Sequence, residues 1–557
     1  MPFLLVLAGL ALPASGLFAQ TPLVPVAPVA PTPAAPPETQ PLPEHIQVQE
    51  LAVVNPNEAG LIDEAHGALG ASMWSGTALG TIRGGLALLP NQPGWRSLRA
   101  LELRLLESPA TLPEGKQGGE PALALRAGKL LAIGAPEAAA QLLARMPGPQ
   151  MTPTLRRLQV DALLLGGDVK GACGQEANLR AALPGDNYAT QVQVFCQYIG
   201  GRGNEAGLGV DLLRDQKLKD PVFFAAADSL GGLPPAKIDW VGQASPVSTA
   251  MAIQAKLPVP ETAVASASPM VLSALARGET LPPEIRIAAT ERAVALGILP
   301  AEALRTLYDS AQIDTGTASG ETGKTAKSRI ILYKAAQAQP VPNLRAELIQ
   351  RALAGDPATA PLVYAPMLAQ LQASPDLVNF APWAVRALLA SGQYEATRPW
   401  FGILRAEGVV SGGTMAAALK PLARLAGQTE ALTSADLAAW RQARGESPAD
   451  AAKRSLLLFS LTSALGDTPP ETDWLPLLDG PTVITGKVSR SALSVGLLSA
   501  ATAQHRGETV LYVLLALGEA RDAEPAEFAR LIAALKAVGL EADARALALE
   551  LALAYGI

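Results

Sequence analysis

Apolar residues recur along most of this chain at the three- and four-residue spacing of amphipathic helices, with glycine, proline and polar residues separating the runs. Trp95-Arg-Ser-Leu-Arg-Ala-Leu-Glu-Leu-Arg-Leu-Leu106 is one such helix. Asn343 to Gly355 is another: Asn343 reads as its N-cap, Leu344, Leu348 and Ala352 share a face, and Gly355 followed by Pro357 stops it. Similar hairpins fill 360 to 465. From Trp474 to Ile557 the helices, Leu493 to Ala503 and Val510 to Leu517 among them, are more apolar. The 50 glycines and 47 prolines are spread as punctuation, which predicts short helices of roughly ten to fifteen residues joined by tight turns.

One phrase repeats. Gly134-Ala-Pro-Glu-Ala-Ala139, Gly167-Asp-Val-Lys-Gly-Ala172 and Gly201-Arg-Gly-Asn-Glu-Ala206 each place Ala five residues after Gly, at periods of 33 and 34 residues. A glycine ending one helix and a small residue one turn into the next suit two antiparallel helices that cross closely. A fourth copy is Gly539-Leu-Glu-Ala-Asp-Ala544; Gly392-Gln-Tyr-Glu-Ala396 and Gly427-Gln-Thr-Glu-Ala431 are one residue shorter. This turn and period resemble the tetratricopeptide repeat, most clearly over 119 to 218. The apolar residue that follows the Ala in that family is kept as Leu143 and Val210, but Glu176 and Ala548 stand at the other two sites, so the repeats are degenerate. The expected fold is all-α, an α-solenoid of degenerate two-helix, tetratricopeptide-like repeats with an irregular N-terminal cap.

The N-terminus has a different texture. Phe3 to Leu12 is an apolar core broken by Pro13, and Leu17-Phe18-Ala19 before Gln20 offers a cleavage point, so 1–19 reads as a secretory signal that lacks a basic n-region. Cleavage frees the chain; retention makes the segment an anchor. Residues 20–47 are a proline-rich linker, with nine prolines between Thr21 and Pro43. The segment 48–118 is the cap, Gly-rich from Leu61 to Ala78 and holding Trp74. With the Cys-bearing repeats after it, the cap resembles a family of alphaproteobacterial envelope proteins of uncharacterised activity. The remaining divisions are a helical array at 119–308, a flexible polar loop at 309–327, a second array at 328–472 and a C-terminal helical cap at 473–557.

Charge narrows the partners. Residues 1–82 hold six acids and no Lys or Arg, and so account for the net charge of −6; the rest carries 44 of each sign. A neutral body without a basic run sets nucleic acid aside. Nothing after the signal reaches eighteen uninterrupted apolar residues, so no membrane-spanning body is expected.

Cys173 and Cys196 lie on expected helices 168–183 and 188–199, on either side of the turn Leu183-Pro-Gly-Asp-Asn187, and face each other across an antiparallel hairpin. In an exported protein they read as a disulfide; a pair of buried free thiols is the alternative. Ala318-Ser-Gly-Glu-Thr-Gly-Lys-Thr325 fits a relaxed phosphate-loop pattern, with Lys324 and Thr325 in the phosphate and magnesium roles. A helical Glu302-Ala-Leu-Arg-Thr-Leu-Tyr-Asp precedes it where a strand is required, so nucleotide binding is set aside. His45, His66 and His505 are isolated, and the adjacent Asp63 and Glu64 read as a helix start. No catalytic, cofactor or metal residue is assigned. The expected function is a non-enzymatic periplasmic scaffold or adaptor that binds another envelope protein. The alternative is a peptidoglycan enzyme, or a regulator of one, with a site assembled from distant residues.

Overall fold

The computed structural model describes residues 55–115, 120–234, 244–313, 318–411, 413–478 and 491–557. The expected signal, the linker and His45 lie outside them. The described residues form twenty-eight α-helices and six 3-10 turns with no strand, so the fold is all-α. The helices run from the six residues of Val169–Gly174 to the seventeen of Pro448–Ala464, a wider range than the sequence suggested.

Proline and glycine set the punctuation by two separate mechanisms. Pro136, Pro153, Pro221, Pro246, Pro269, Pro342, Pro448 and Pro525 occupy the first turn of their helices, where the missing N–H costs nothing and the fixed φ is already helical. At the other end, all six glycines of the repeated phrase have φ between 73° and 84°, the left-handed conformation that a tight inter-helix turn demands. In the four full-length copies the paired alanines, Ala139, Ala172, Ala206 and Ala544, are each 0% exposed. In the shorter copies Ala396 lies in the 3-10 turn Glu395–Thr397 and is half-buried, and Ala431 lies ahead of helix Ser434–Arg444 and is exposed, so neither stands inside a following α-helix as the other four do.

Successive helices pack as hairpins. Asn187–Ile199 lies on Gly203–Asp215, Pro269–Arg277 on Pro283–Ala295, Thr414–Leu425 on Ser434–Arg444 and Pro525–Ala537 on Glu541–Ala554. Two local expectations need correction. The expected 168–183 helix is split at Gln175 into Val169–Gly174 and Glu176–Ala182, where Gly171 and Gly174 weaken it. The helix expected from Asn343 begins at Pro342 with Val341 as its N-cap, and Leu344 is 46% exposed. Its core face is formed by Ala346, Leu348, Ile349, Ala352 and Leu353, so the expected Leu348 and Ala352 are buried and Leu344 is not.

Val54–Ile557 is a single compact unit, and its first helices pack against its last. Leu79–Leu88 touches Arg506–Leu517, and Arg96–Glu107 touches both Arg506–Leu517 and Glu541–Ala554. The N-terminal segment therefore covers more than the first hairpin. Trp95 stands edge-on to Phe528 with centroids 6.3 Å apart and lies 6.4 Å from Tyr555. No side chain of its own caps Arg96–Glu107; instead the Glu550 carboxylate accepts from the backbone N–H groups of Arg96 and Ser97, both at 2.9 Å. Arg104 Nη1 meets Asp543 Oδ1 at 2.5 Å, and Gly507 N–H donates to the Met73 carbonyl at 2.9 Å. A Cβ on Gly507 would sit 2.7 Å from the Trp74 ring, so this approach requires glycine.

The same Arg96–Glu107 helix reaches two distant turns. Arg99 Nε donates to the Gly297 carbonyl at 2.8 Å, and Arg96 Nη2 to the Ala390 carbonyl at 2.6 Å. The helix is thus covered on more than its leucine face: Ala100 is exposed, but Arg99 and Glu102 are buried alongside Leu98, Leu101 and Leu105.

The expected loop at 309–327 is shorter at both ends. Helix Ala301–Ser310 precedes it and helix Ala326–Ala338 begins after Thr325, whose hydroxyl accepts from Ser328 N–H. Its described part is held in place: Arg351 Nη1 donates to the Ala318 carbonyl at 2.7 Å and Arg329 Nη1 to the Lys324 carbonyl at 3.1 Å.

Candidate functional site

Cys173 and Cys196 are brought together. Their Cα atoms are 5.4 Å apart and the sulfurs are bonded, which ties Val169–Gly174 to Asn187–Ile199. The bond closes a loop within one hairpin and touches no cavity described below.

The phosphate-loop pattern takes a different role. It follows a helix, and the Thr322 and Gly323 amides that would cradle a phosphate both donate to Ser328 Oγ, at 3.1 and 2.7 Å. Lys324 is exposed. His66 and His505 have separate partners. His66 is an exposed partner of Asp63, Nδ1 to Oδ1 at 2.6 Å, and this hydrogen bond holds the Asp63 carboxyl below its ordinary range. Asp63 also caps the turn Glu64–His66, so the adjacent carboxylates form a turn start. His505 lies in the seam, with Nδ1 3.1 Å from Glu508 Oε2, to which the Thr77 hydroxyl also donates at 3.2 Å. Among the described residues no three His, Cys, Asp or Glu side chains gather in a way that would hold a metal ion.

Ionisable groups with strongly altered proton affinity occur at junctions between helices. Burial pushes Glu102 up to about 8 against the opposing pull of Lys129 and Arg99. Neither Glu102 oxygen has a hydrogen-bond partner among the described residues. Burial lowers Arg126 to about 10; its guanidinium donates to the carbonyls of Leu106 at 2.8 Å, Ser108 at 2.9 Å and Ala59 at 2.7 Å. Asp161 is pushed up to about 6 by burial and accepts from the Tyr188 hydroxyl. Tyr308, which donates to Glu291 at 2.6 Å, is raised for the same reason.

None of these groups lines either of two cavities formed among the described residues. The first, about 760 Å³, lies where the Leu164–Val169 turn meets helices Pro246–Gln254, Pro269–Arg277, Pro283–Ala295 and Ala301–Ser310. Its floor is apolar, with Leu164, Leu165 and Ile253 buried. Its rim carries Gln254, Arg277, Glu279 and Arg286. Arg277 is committed to Glu137, Nε to Oε1 at 2.5 Å, but Arg286 Nε is buried and has no hydrogen-bond partner among the described residues. The second cavity, about 590 Å³, lies between helices Arg398–Ser411 and Thr414–Leu425. Both fall within the ~300–1,000 Å³ common for ligand sites. Sequence reasoning found neither, because each is assembled from segments whose residues look locally like ordinary helix faces and turns.

No known protein family matches the chain, and no curated protein or solved structure is detectably similar to it.

Proposed function

We propose that this protein is a non-enzymatic scaffold of the cell envelope, exported to the periplasm, whose degenerate tetratricopeptide-like hairpins seat a segment of another envelope protein in the first cavity. One contrast carries this reading. Catalytic groups are tuned by desolvation inside a cleft that substrate can enter. Here Glu102, Asp161 and Tyr308 are tuned inside helix junctions, while the large cavity presents an apolar floor and an unused guanidinium N–H. Such a lining suits an apolar side chain of an extended segment, with a carbonyl or carboxylate placed at Arg286. The disulfide-closed hairpin is consistent with an oxidising compartment.

The reading is tested with a photo-reactive amino acid at Ala303 on the cavity wall and, as a control, at exposed Lys324. In intact cells the Ala303 position should give one discrete adduct with a second envelope protein, lost on Arg286→Glu, and Lys324 should give none. Equal labelling from both positions, recovery of the protein only in the cytosol, or hydrolysis of purified peptidoglycan by the isolated chain would overturn it.

A further inference from the structure

The second cavity has a different chemistry from the first. Its inner wall is apolar: Phe401, Leu404 and Ala423 are buried, and Ala416 and Ala417 are half-buried. Its ionisable lining is all of one sign, consisting of Arg398, Arg405 and Lys420 without a carboxylate. Two of these cations have partners outside the cavity. Arg398 Nε lies 2.9 Å from Glu395, and Lys420 is paired with Asp436. Arg405 is exposed, and its guanidinium has no ion pair or hydrogen bond among the described residues.

One further feature adds to the positive field, and another adds an unpartnered hydroxyl. Gly413, at φ 74°, is the N-cap of Thr414–Leu425, and no side chain caps that helix, so the amides of its first turn stand at the cavity with their partial positive charge. Opposite them the Thr429 hydroxyl oxygen is buried with no hydrogen-bond partner among the described residues. A small inorganic anion would satisfy the cations but leave the wall of Phe401, Leu404 and Ala417 against water. A neutral apolar molecule would cover that wall but offer Arg405 no counter-charge. An occupant that meets both demands carries its anion at one end of an aliphatic body.

We propose that this cavity binds a single-chain organic anion, a carboxylate on an aliphatic tail, with the tail along Phe401, Leu404 and Ala417 and the head between Arg405 and Lys420. The proposal uses none of the residues on which the scaffold reading rests, so either can fail alone.

The test is calorimetric titration of the full chain with dodecanoate below its micellar concentration, run beside its neutral glycerol monoester and inorganic phosphate. Dodecanoate should bind saturably at one site, more tightly than the ester or phosphate. Arg405→Glu should weaken it at least about tenfold while the melting temperature and circular dichroism stay unchanged, since that side chain supports no packing. Arg405→Lys should retain most of the affinity, and Ala417→Trp, which fills the cavity, should abolish binding. Absence of saturable binding overturns the proposal. So does equal affinity for the ester or for phosphate, or dodecanoate uptake that is the same in Arg405→Glu and Ala417→Trp as in the parent.

Discussion

Between Gly134 and Asp215 the hairpins close through left-handed glycines, buried alanines and one disulfide, although Pro153–Leu165 also packs on Pro246–Gln254. The seam between the N-terminal segment and the last helices joins residues more than 430 positions apart, through a carboxylate cap, an ion pair, a tryptophan and the close approach of Gly507 to Trp74. A local hairpin needs only a small residue at the right spacing, and any alanine-rich segment supplies one. Closing distant ends needs particular charged groups, each placed against one backbone partner and buried, and such groups tolerate little substitution.

That contrast can be broken in several places, and the largest effect should come from Arg126→Ala. It strands three carbonyls in the junction between the Ala122–Ala132 helix and the N-terminal segment, and should cost ~3–5 kcal/mol in urea unfolding. A loss under about 1 kcal/mol would mean that these charged ties are ornamental. Replacing both cysteines with serine should cost ~3 kcal/mol, the loop-closure entropy of a bond with sequence separation 23, and should leave the seam intact. If the seam's tryptophan fluorescence also changes, the two regions are coupled rather than separate.

Glu102 sharpens the comparison through pH. Its folded-state value, about 8, lies above the ordinary 4.5, so within this window the unfolded chain releases a proton that the folded chain retains. Stability should therefore fall as pH rises through the window and level off above it. Asp161 behaves alike, but its window closes at about 6, so the interval from 6 to 8 separates Glu102 from it. Over that interval Glu102→Gln should remove a decline of ~2 kcal/mol. An unchanged slope would show that Glu102 is ionised in the fold. Glu550→Ala should cost ~1 kcal/mol, the worth of a helix cap, and should lower protection of the Arg96 and Ser97 amides in hydrogen exchange while the hairpin amides stay as they were. Smallest of all, Lys324→Ala should stay within ~0.5 kcal/mol, and magnesium with ATP should not shift the melting temperature.

How much could be read from the sequence follows the same division. The helical class, the turn glycines and the buried Ala139, Ala172, Ala206 and Ala544 were readable because each depends on residues five positions apart or fewer. The facing of Cys173 and Cys196 was readable from helix length about a known turn, even though the first helix is in fact split at Gln175. Arg96–Glu107 misleads. Its Leu98, Leu101 and Leu105 look like the buried stripe and Arg99 and Glu102 like the wet side, yet distant segments cover that side as well. Glu550 reads as one more acid on a helix surface, and nothing near it announces that it caps another helix. The first cavity stayed hidden for the same reason, since Arg286 gains its meaning only from residues brought in by other hairpins; the second lies within the single stretch 398–429 and depends on how its two consecutive helices diverge.

The cap that Glu550 lends to Arg96 also imposes a timetable. A ribosome delivers the Arg96–Glu107 helix early, and its last partners arrive more than four hundred residues later. Until then Trp95 lacks Phe528 and Tyr555, Arg104 lacks Asp543, and the helix's leading amides have only water. The hairpins in between can form as they emerge, but completion of the whole waits on the final turns, the slow step expected of contacts so far apart in sequence. A chain stopped short of Glu541 would hold most of its helices and still display an unfinished apolar flank, which gives chaperones and proteases a means of telling nearly complete molecules from complete ones.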